Sequence, residues 1–395
     1  MATGKDLPTP APPQPTPWPD LPKELWASIG NRLDTRIDIT RFRGVCSAWR
    51  SLLSPPLSSN SPQFPLRIPL SRRTSANLAR FTVYRLQPSF SCTNPPASPP
   101  EGWLIKVDER NPASIRPINP LSSLPIHCKR SSFPKVLSLM GIRVTEVCKE
   151  YVVESDPGET RADISSLAKV VLCPDSLCCD ENDCVAFAVT RNGSLMYWRY
   201  GDDRWRDSAE KGNRYDDIVI GDGQVYVVDR LGTVYWVDPY CRMVQFSPPM
   251  CGGGTKKHLL LVCGDICVVD RYDQENCHNP NCYAEVAHFK VYRLDQEWGK
   301  WDEVKDLEDL VVFIGENSSF CVSVKEFSGC IGNCIYFIEQ RGGLRLPKVY
   351  VFNMRDHSIK RVISIPDYWK ILWPPPSWIT PTPCLGDPNS QYQNF

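Results

Sequence analysis

The stretch Asp217 to Phe246, DIVIGDGQVYVVDRLGTVYWVDPYCRMVQF, leaves the chain few choices of fold. Runs rich in Val, Ile, Tyr and Trp alternate with Gly221-Asp222-Gly223 and Leu231-Gly232, residues that suit tight reversals. The segment reads as an antiparallel meander of three or four strands. A related phrase returns along the chain. Arg191-Asn192-Gly193 precedes SLMYWRY, Leu231-Gly232 precedes TVYWVD, HFKVYRL begins at His288 and KVYVFNM at Lys348. The intervals between Leu195, Val234, Phe289 and Val349 are 39, 55 and 60 residues. Small antiparallel sheets recurring about every 40 to 50 residues mark a β-propeller, with loops lengthening some units, so residues 70–380 are expected to hold about six blades. Thr82–Leu86 and Trp103–Val107 are further strand candidates. A propeller closes to leave no open edge, so Thr82–Leu86 is expected to pair with the last blade near Val349–Met354.

Ahead of this region the periodicity changes. Leu25, Ile29 and Leu33 recur four apart, with Lys23, Glu24, Ser28, Asn31 and Arg32 on the other side, which predicts one amphipathic helix. Pro22 suits its first position and Asp20 its cap. Asp38 is expected to cap a second short helix carrying Ile39 and Phe42 and ending at Gly44. Val45, Trp49 and Leu52 then mark a third, stopped by Ser54-Pro55-Pro56. Thirty-odd residues cannot bury all of that apolar surface alone, so part of it needs a partner.

The segment Leu21 to Leu53 resembles an F-box, the helical module by which substrate receptors dock on the Skp-type adaptor of Skp/cullin/F-box ubiquitin ligases. The resemblance rests on Leu21-Pro22, Glu24-Leu25, Ile29, Arg32-Leu33, Asp38, Arg41-Phe42, Val45-Cys46, Trp49-Arg50 and Leu52-Leu53. It implies an adaptor surface drawn from Leu21, Pro22, Leu25, Ile29, Leu33, Ile39, Phe42, Val45, Cys46 and Trp49, with Pro22 and Leu25 the foremost outward candidates. Gly30 departs from the pattern, since many F-boxes carry a bulkier apolar residue there; it lowers helix propensity by about 1 kcal/mol against Ala. Downstream, TVYRL, GWLIKVDE, INPLSSLP and GQVYVVDRLGTVYWVD are similar to plant F-box proteins with a KIB-type β-propeller. That resemblance implies a fold of an N-terminal three-helix F-box followed by an all-β propeller. It implies a non-catalytic receptor subunit that binds the adaptor, through it a cullin ligase, and a protein substrate it does not name. The competing reading is an enzyme or scaffold on a propeller whose N-terminal helices only cap the fold.

Composition narrows the field of partners. Lysine plus arginine equals aspartate plus glutamate at 45 each, so no net field argues for nucleic acid or an anionic membrane. No apolar run is long enough to span a bilayer, and MATGKDLPTPAPPQPTP lacks a signal peptide's apolar core, so an intracellular protein of nucleus or cytoplasm is expected. In that reducing setting the eighteen cysteines read mostly as small buried hydrophobes, Cys263 and Cys267 among them.

Chemistry-bearing motifs are weak. Cys277-His278-Asn279-Pro280-Asn281-Cys282 lacks the spacing of a zinc knuckle and reads as a turn-rich loop, as does the acidic stretch around Cys173, Cys178, Cys179 and Cys184. Cys251-Gly252-Gly253-Gly254-Thr255-Lys256-Lys257 has neither the spacing nor the following helix of a phosphate loop, and reads as a connection between blades. The five histidines sit in no catalytic motif, and neither a metal nor another cofactor is expected. The expected organisation is a proline-rich tail at 1–17, the helical module at 18–54, a Pro/Ser-rich linker at 55–69, the propeller at 70–380 and a tail at 381–395.

Overall fold

The computed structural model describes residues 22–33, 35–53, 64–70, 74–89, 102–108, 117–122, 141–155, 167–174, 183–208, 212–238, 240–250, 252–274, 286–327, 330–339, 348–364, 372, 376 and 378–379. The chain divides into two compact units, Met1–Ser59 and Asn60–Phe395. The expected tails and most of the expected linker lie outside the described residues.

The first unit holds three helices: α1 (Lys23–Gly30), α2 (Arg36–Val45) and α3 (Ser47–Leu52). Two of the expected starts are displaced. Helix α1 begins after Pro22, which is itself the cap position and offers no side-chain bond, while Asp20 lies outside the described residues. Helix α2 is capped by Thr35, not Asp38: Thr35 Oγ1 accepts from the Asp38 amide at 3.1 Å and donates to the Asp38 carboxylate at 2.7 Å. A hydroxyl at the cap and a carboxylate three residues on satisfy the helix start better than a carboxylate alone. The helix also runs one residue past Gly44, to Val45.

Among the described residues the regular structure of the second unit is strand, apart from 3-10 turns at Asp183 and Val362–Ser364. Its first group is β1 (Leu66–Pro69), β2 (Ser75–Pro88), β3 (Trp103–Asp108), β4 (Pro117–Ile118) and β5 (Ile142–Ser155). The second is β6 (Leu167–Cys173), β7 (Val185–Thr190), β8 (Leu195–Arg199) and β9 (Arg206–Asp207). The third is β10 (Tyr215–Gly221), β11 (Gln224–Asp229), β12 (Val234–Val237) and β13 (Met243–Gln245). The fourth is β14 (Lys256–Val262), β15 (Asp265–Asp273), β16 (Val286–Asp295) and β17 (Lys300–Val304). The fifth is β18 (Leu310–Ile314), β19 (Ser319–Ser323), β20 (Cys334–Glu339), β21 (Lys348–Asn353) and β22 (Ile359–Arg361). The first two groups share one nine-stranded sheet, but β5 and β6 are joined at the single pair Tyr151 and Val170. They behave as two blades.

Five apolar clusters lie between these five groups and close them into a ring. Leu66, Leu78 and Tyr151 meet Leu172, Ala186 and Trp198 between blades one and two, and Val171 and Phe187 meet Ile218 and Val227 between two and three. Val228 and Val234 meet Leu259 and Val268 between three and four, and Leu260 and Val291 meet Val312 and Ile335 between four and five. Val83 and Leu104 meet Val349 and Val351 between five and one. Around the axis, β5, β6, β10, β14 and β19 are successive neighbours. The described strands thus form five blades where length arithmetic predicts about six, because blade one spreads from residue 66 to residue 155 with long intervening segments.

The ring closes by packing, not by the expected strand pairing. Strand β2 pairs with β1, β3 and β5, while β21 pairs with β20 and β22. What joins the ends is the shared apolar cluster and a polar latch. Glu150, paired at 2.8 Å with Lys106, accepts from Asn317 and Ser318 of blade five at 3.0 Å each, and all of these ionic atoms are out of water. Carboxylates tie other seams too. Asp217 of blade three pairs with Lys169 of blade two at 2.6 Å and accepts from the Leu259 amide of blade four at 2.8 Å. Glu339 of blade five accepts from the Val286 amide of blade four at 2.6 Å. Each of these oxygens replaces water with a fixed donor, as burial demands.

The meander at 217–246 appears as β10–β13, with Gly221 opposite Gln224 across the two-residue turn Asp222-Gly223. One expectation for the cysteines fails nearby. Cys267 is buried, but Cys263 is exposed at φ 52°, because LLLVCGDICVVD is a hairpin turning at Cys263-Gly264 and not one buried run. The glycine-rich connection before β14 also has a use. The Gly254 amide donates to the Asp270 carboxylate at 3.1 Å, Lys257 Nζ pairs with that carboxylate at 2.7 Å, and a Cβ on Gly254 would lie 2.1 Å from it. The backbone that superficially resembles a phosphate loop wraps the chain's own buried carboxylate.

Candidate functional site: the outer face of the helical module

The helical module keeps a small aromatic core of its own. The Trp26 ring lies 3.9 Å from that of Trp49 and 6.5 Å from that of Phe42, and Phe42 stacks on Trp49 at 4.6 Å. Ile39 is buried with them. Beneath Trp26, one helical turn on, Gly30 is buried against Leu53, whose side chain would be 2.8 Å from any Cβ at that position. The departure at Gly30 therefore has a steric reason: Leu53 fills the volume a larger residue would take, and the cost in helix propensity of about 1 kcal/mol is offset by that close packing. Arg43 reinforces the hairpin between α2 and α3 by donating to the carbonyls of Arg50, at 2.9 Å, and Leu53, while Arg50 Nε returns a bond to the Arg43 carbonyl at 3.2 Å. Cationic groups bonded to a helix's last carbonyls satisfy acceptors that have no partner within it.

This core sorts the expected adaptor residues. Ile39 and Phe42 are buried in the module's own core, and Trp49 and Leu33 are half-buried. Pro22 and Cys46 are exposed, as are three large apolar side chains: Leu25 at 49%, Ile29 at 40% and Val45 at 59%. Leu21 lies outside the described residues. Part of the helices' apolar surface was expected to pack inward and part to meet a partner, with Pro22 and Leu25 foremost outward; the inward face of α1 is Trp26 and Gly30, one position round the helix from Leu25 and Ile29. An indole lying over a glycine buries more surface than a leucine would, so the aliphatic stripe is left outside. Trp26 was missed; its signal in the sequence is an aromatic residue four before a glycine.

The second unit offers two places to weigh against this face. An axial cavity of about 240 Å³ is lined by Glu146–Lys149 and Tyr151 of β5, Lys169–Val171 of β6, Ile218–Ile220 of β10 and Asn317–Ser319. Its charges are already matched, Lys169 to Asp217 and Lys149 to Glu146 at 3.5 Å. His258 on β14 is buried with no bond to Nε2, and burial first, then the charges of Lys256, Arg271 and Lys169, push its pKa well below the usual value. A histidine held neutral with no acid, base or nucleophile bonded to it has no catalytic geometry. Burial likewise raises the thiols of Cys148 and Cys267 to about 12 and of Cys321 to about 11, the opposite of what activates a cysteine. No group of three or more potential metal ligands occurs among the described residues, and Cys277–Cys282 lies outside them. No helix among the described residues is long and apolar enough to cross a membrane.

Known proteins decide the family. The sequence profile of the KIB1-4 beta-propeller matches residues 75–359. F-box protein At4g35733 of Arabidopsis thaliana is 30% identical over 378 residues, covering 91% of this chain and 98% of its own length. This chain is a plant-type F-box protein with a KIB1-4 β-propeller. F-box protein SKIP23 of the same plant is 29% identical over 400 residues, covering 92% of this chain and 95% of the relative. In this member of the family the profile begins at the first residue of β2 and ends at the first of β22, so it takes in every described strand from β2 to β21.

Proposed function

We propose that this F-box protein is the substrate-recognition subunit of a Skp/cullin/F-box ubiquitin ligase, with the helical module on the adaptor and the propeller on a protein target. The observation that carries the reading is the solvent-facing trio Leu25, Ile29 and Val45 on a module of three helices that already has its own aromatic core. Apolar side chains left outside after a core is complete mark a contact surface. On this reading the chain performs no chemistry: it brings a target to a ligase assembled through the adaptor and cullin, in the nucleus or the cytoplasm.

The test is the affinity of the full chain for a plant Skp-type adaptor. Leu25→Ala with Ile29→Ala removes two exposed anchors, and anchors of this kind cost about 2 kcal/mol or more, a loss of roughly thirtyfold in affinity. The thermal midpoint should stay within about 2 °C, because neither side chain belongs to a core. Undiminished adaptor binding by the double variant would overturn the assignment of this face.

A further inference from the structure

At the outer end of the seam between blades three and four the apolar interior continues into solvent. One cross-strand row, Val219, Tyr226, Trp236 and Val244, runs from the axis to the rim of blade three on the face that meets blade four. Its inner members are packed, Trp236 is half-buried, and Val244 and Phe246 are exposed at 38% and 37%. Phe246 meets Tyr226 edge-on at 5.6 Å. The other wall is Trp301 of blade four, opposite Leu294, fixed by its indole N–H donating to the Pro248 carbonyl at 2.9 Å. The result is a groove with aromatic walls on two blades.

Exposed carboxylates border the groove, while the cation on the same face of blade four, Lys290, is turned over the Tyr272 ring at 6.0 Å. Glu303, next to Trp301 on the same face of β17 and opposite Tyr292, is exposed and has no ion-pair partner among the described residues. Asp222, in the turn between β10 and β11, is exposed and likewise unpaired among the described residues. The phenols respond: Tyr226 is raised by burial and then by Asp222, and Tyr292 by burial, then Tyr272, then Glu303. The outermost strands of the two neighbouring blades each carry a basic residue, Arg206 on β9 and Lys300 on β17, whereas β13 reads Met-Val-Gln and carries no charge.

We propose that this groove binds an arginine- or lysine-bearing segment of the target protein, with an apolar side chain of that segment on Trp236, Val244 and Phe246 and its cation between Glu303 and the face of an indole. An exposed carboxylate beside aromatic rings, as Glu303 is beside Trp301 and Tyr292, is complementary to that chemistry, since a cation gains from both the charge and the ring face. Calling the ligand a target rests on the receptor reading above; the groove itself does not.

The test is selection of a random dodecapeptide library on the full chain, followed by fluorescence-polarisation affinities for the strongest peptide. The expected consensus is an aromatic or aliphatic residue within three positions of Arg or Lys. Affinity should fall at least tenfold for Trp236→Ala and for Glu303→Lys, and not for Leu231→Ala, which is exposed at a different turn of the same blade. Glu303→Lys alters an exposed side chain, so it keeps the test valid even if Trp236→Ala disturbs folding. A peptide with its cation changed to glutamate should recover binding to Glu303→Lys. Peptides without a basic consensus, or equal affinity for wild-type and Glu303→Lys, would overturn the proposal. Adaptor affinity measured on the same samples separates the two readings: its loss alone removes the receptor assignment and leaves the groove standing.

Discussion

Replacing Asp270 by alanine should unfold the propeller more readily than any comparable surface change. The carboxylate is fully out of water, its partner Lys257 is 1% exposed, and the pair lies at 2.7 Å inside blade four. Asp270→Ala leaves the ammonium buried with the Gly254 carbonyl, at 2.9 Å, as its hydrogen-bond acceptor, and strips the Gly254 amide of its acceptor. An uncompensated buried charge costs about 3–5 kcal/mol, and an orphaned amide about 1–3 kcal/mol, with partial overlap because both centre on one loop. A combined loss of about 4 kcal/mol over a urea slope of about 3 kcal/mol per molar lowers the midpoint by roughly 1.3 M. The assay is urea unfolding of the full chain followed by tryptophan fluorescence. The companion variant carries Lys257→Met and Asp270→Asn together, which removes both charges and retains an acceptor for Gly254, and it should recover most of the loss. A midpoint shift below about 0.3 M for Asp270→Ala, or a double variant no better than the single, would falsify the reasoning.

Three further outcomes follow from single sites. His258 has a folded pKa below its ordinary value of about 6.5, so the unfolded chain takes up the proton first and stability falls as pH drops below about 6.5; thermal midpoints at pH 7.5 and 5.5 should converge for His258→Leu relative to wild type, and an unchanged difference speaks against it. Gly30→Leu should overfill the space against Leu53 and expose the amides of α1, with Leu53→Ala in the same chain restoring them; hydrogen exchange of α1 reads this, and indifference of Gly30→Leu to Leu53→Ala would show that the two do not share a volume. Brief alkylation at pH 8 should label Cys46 and Cys263, which are exposed, and spare Cys148, Cys267 and Cys321 until denaturant is added; peptide mass spectrometry that finds all five labelled alike contradicts the burial that raises those three thiols.

Much of the architecture is written in local pattern. Period-two runs broken by Asp222-Gly223 and Leu231-Gly232 announce the meander of blade three, and the shift to four-residue spacing announces the helices, because both depend on residues a few positions apart. The same locality explains what such pattern leaves open. Leu25, Ile29 and Trp26 are neighbours in sequence, and which of them turns inward depends on Leu53 filling the space over Gly30, a contact 23 residues away. Cys263 belongs to an apolar run by composition and to a turn by pairing, and only the register of β14 against β15 distinguishes the two.

By itself, the sequence determined that the chain has a short helical segment ahead of a long run of antiparallel sheets, and that its charge is balanced, because composition and periodicity are properties of the unfolded string. The tertiary structure decided the number of blades, the closure of the ring and the identity of its fasteners. Val83 meets Val349, and Glu150 meets Asn317 and Ser318, across more than 160 residues of chain. The physical reason is that an acidic residue in a strand has the same local signal whether it faces water or a lysine on the next blade. Lys106, Asp217 and Asp270 read in the sequence as polar breaks in apolar runs, and become structural ties when closure removes the water that would otherwise hold them.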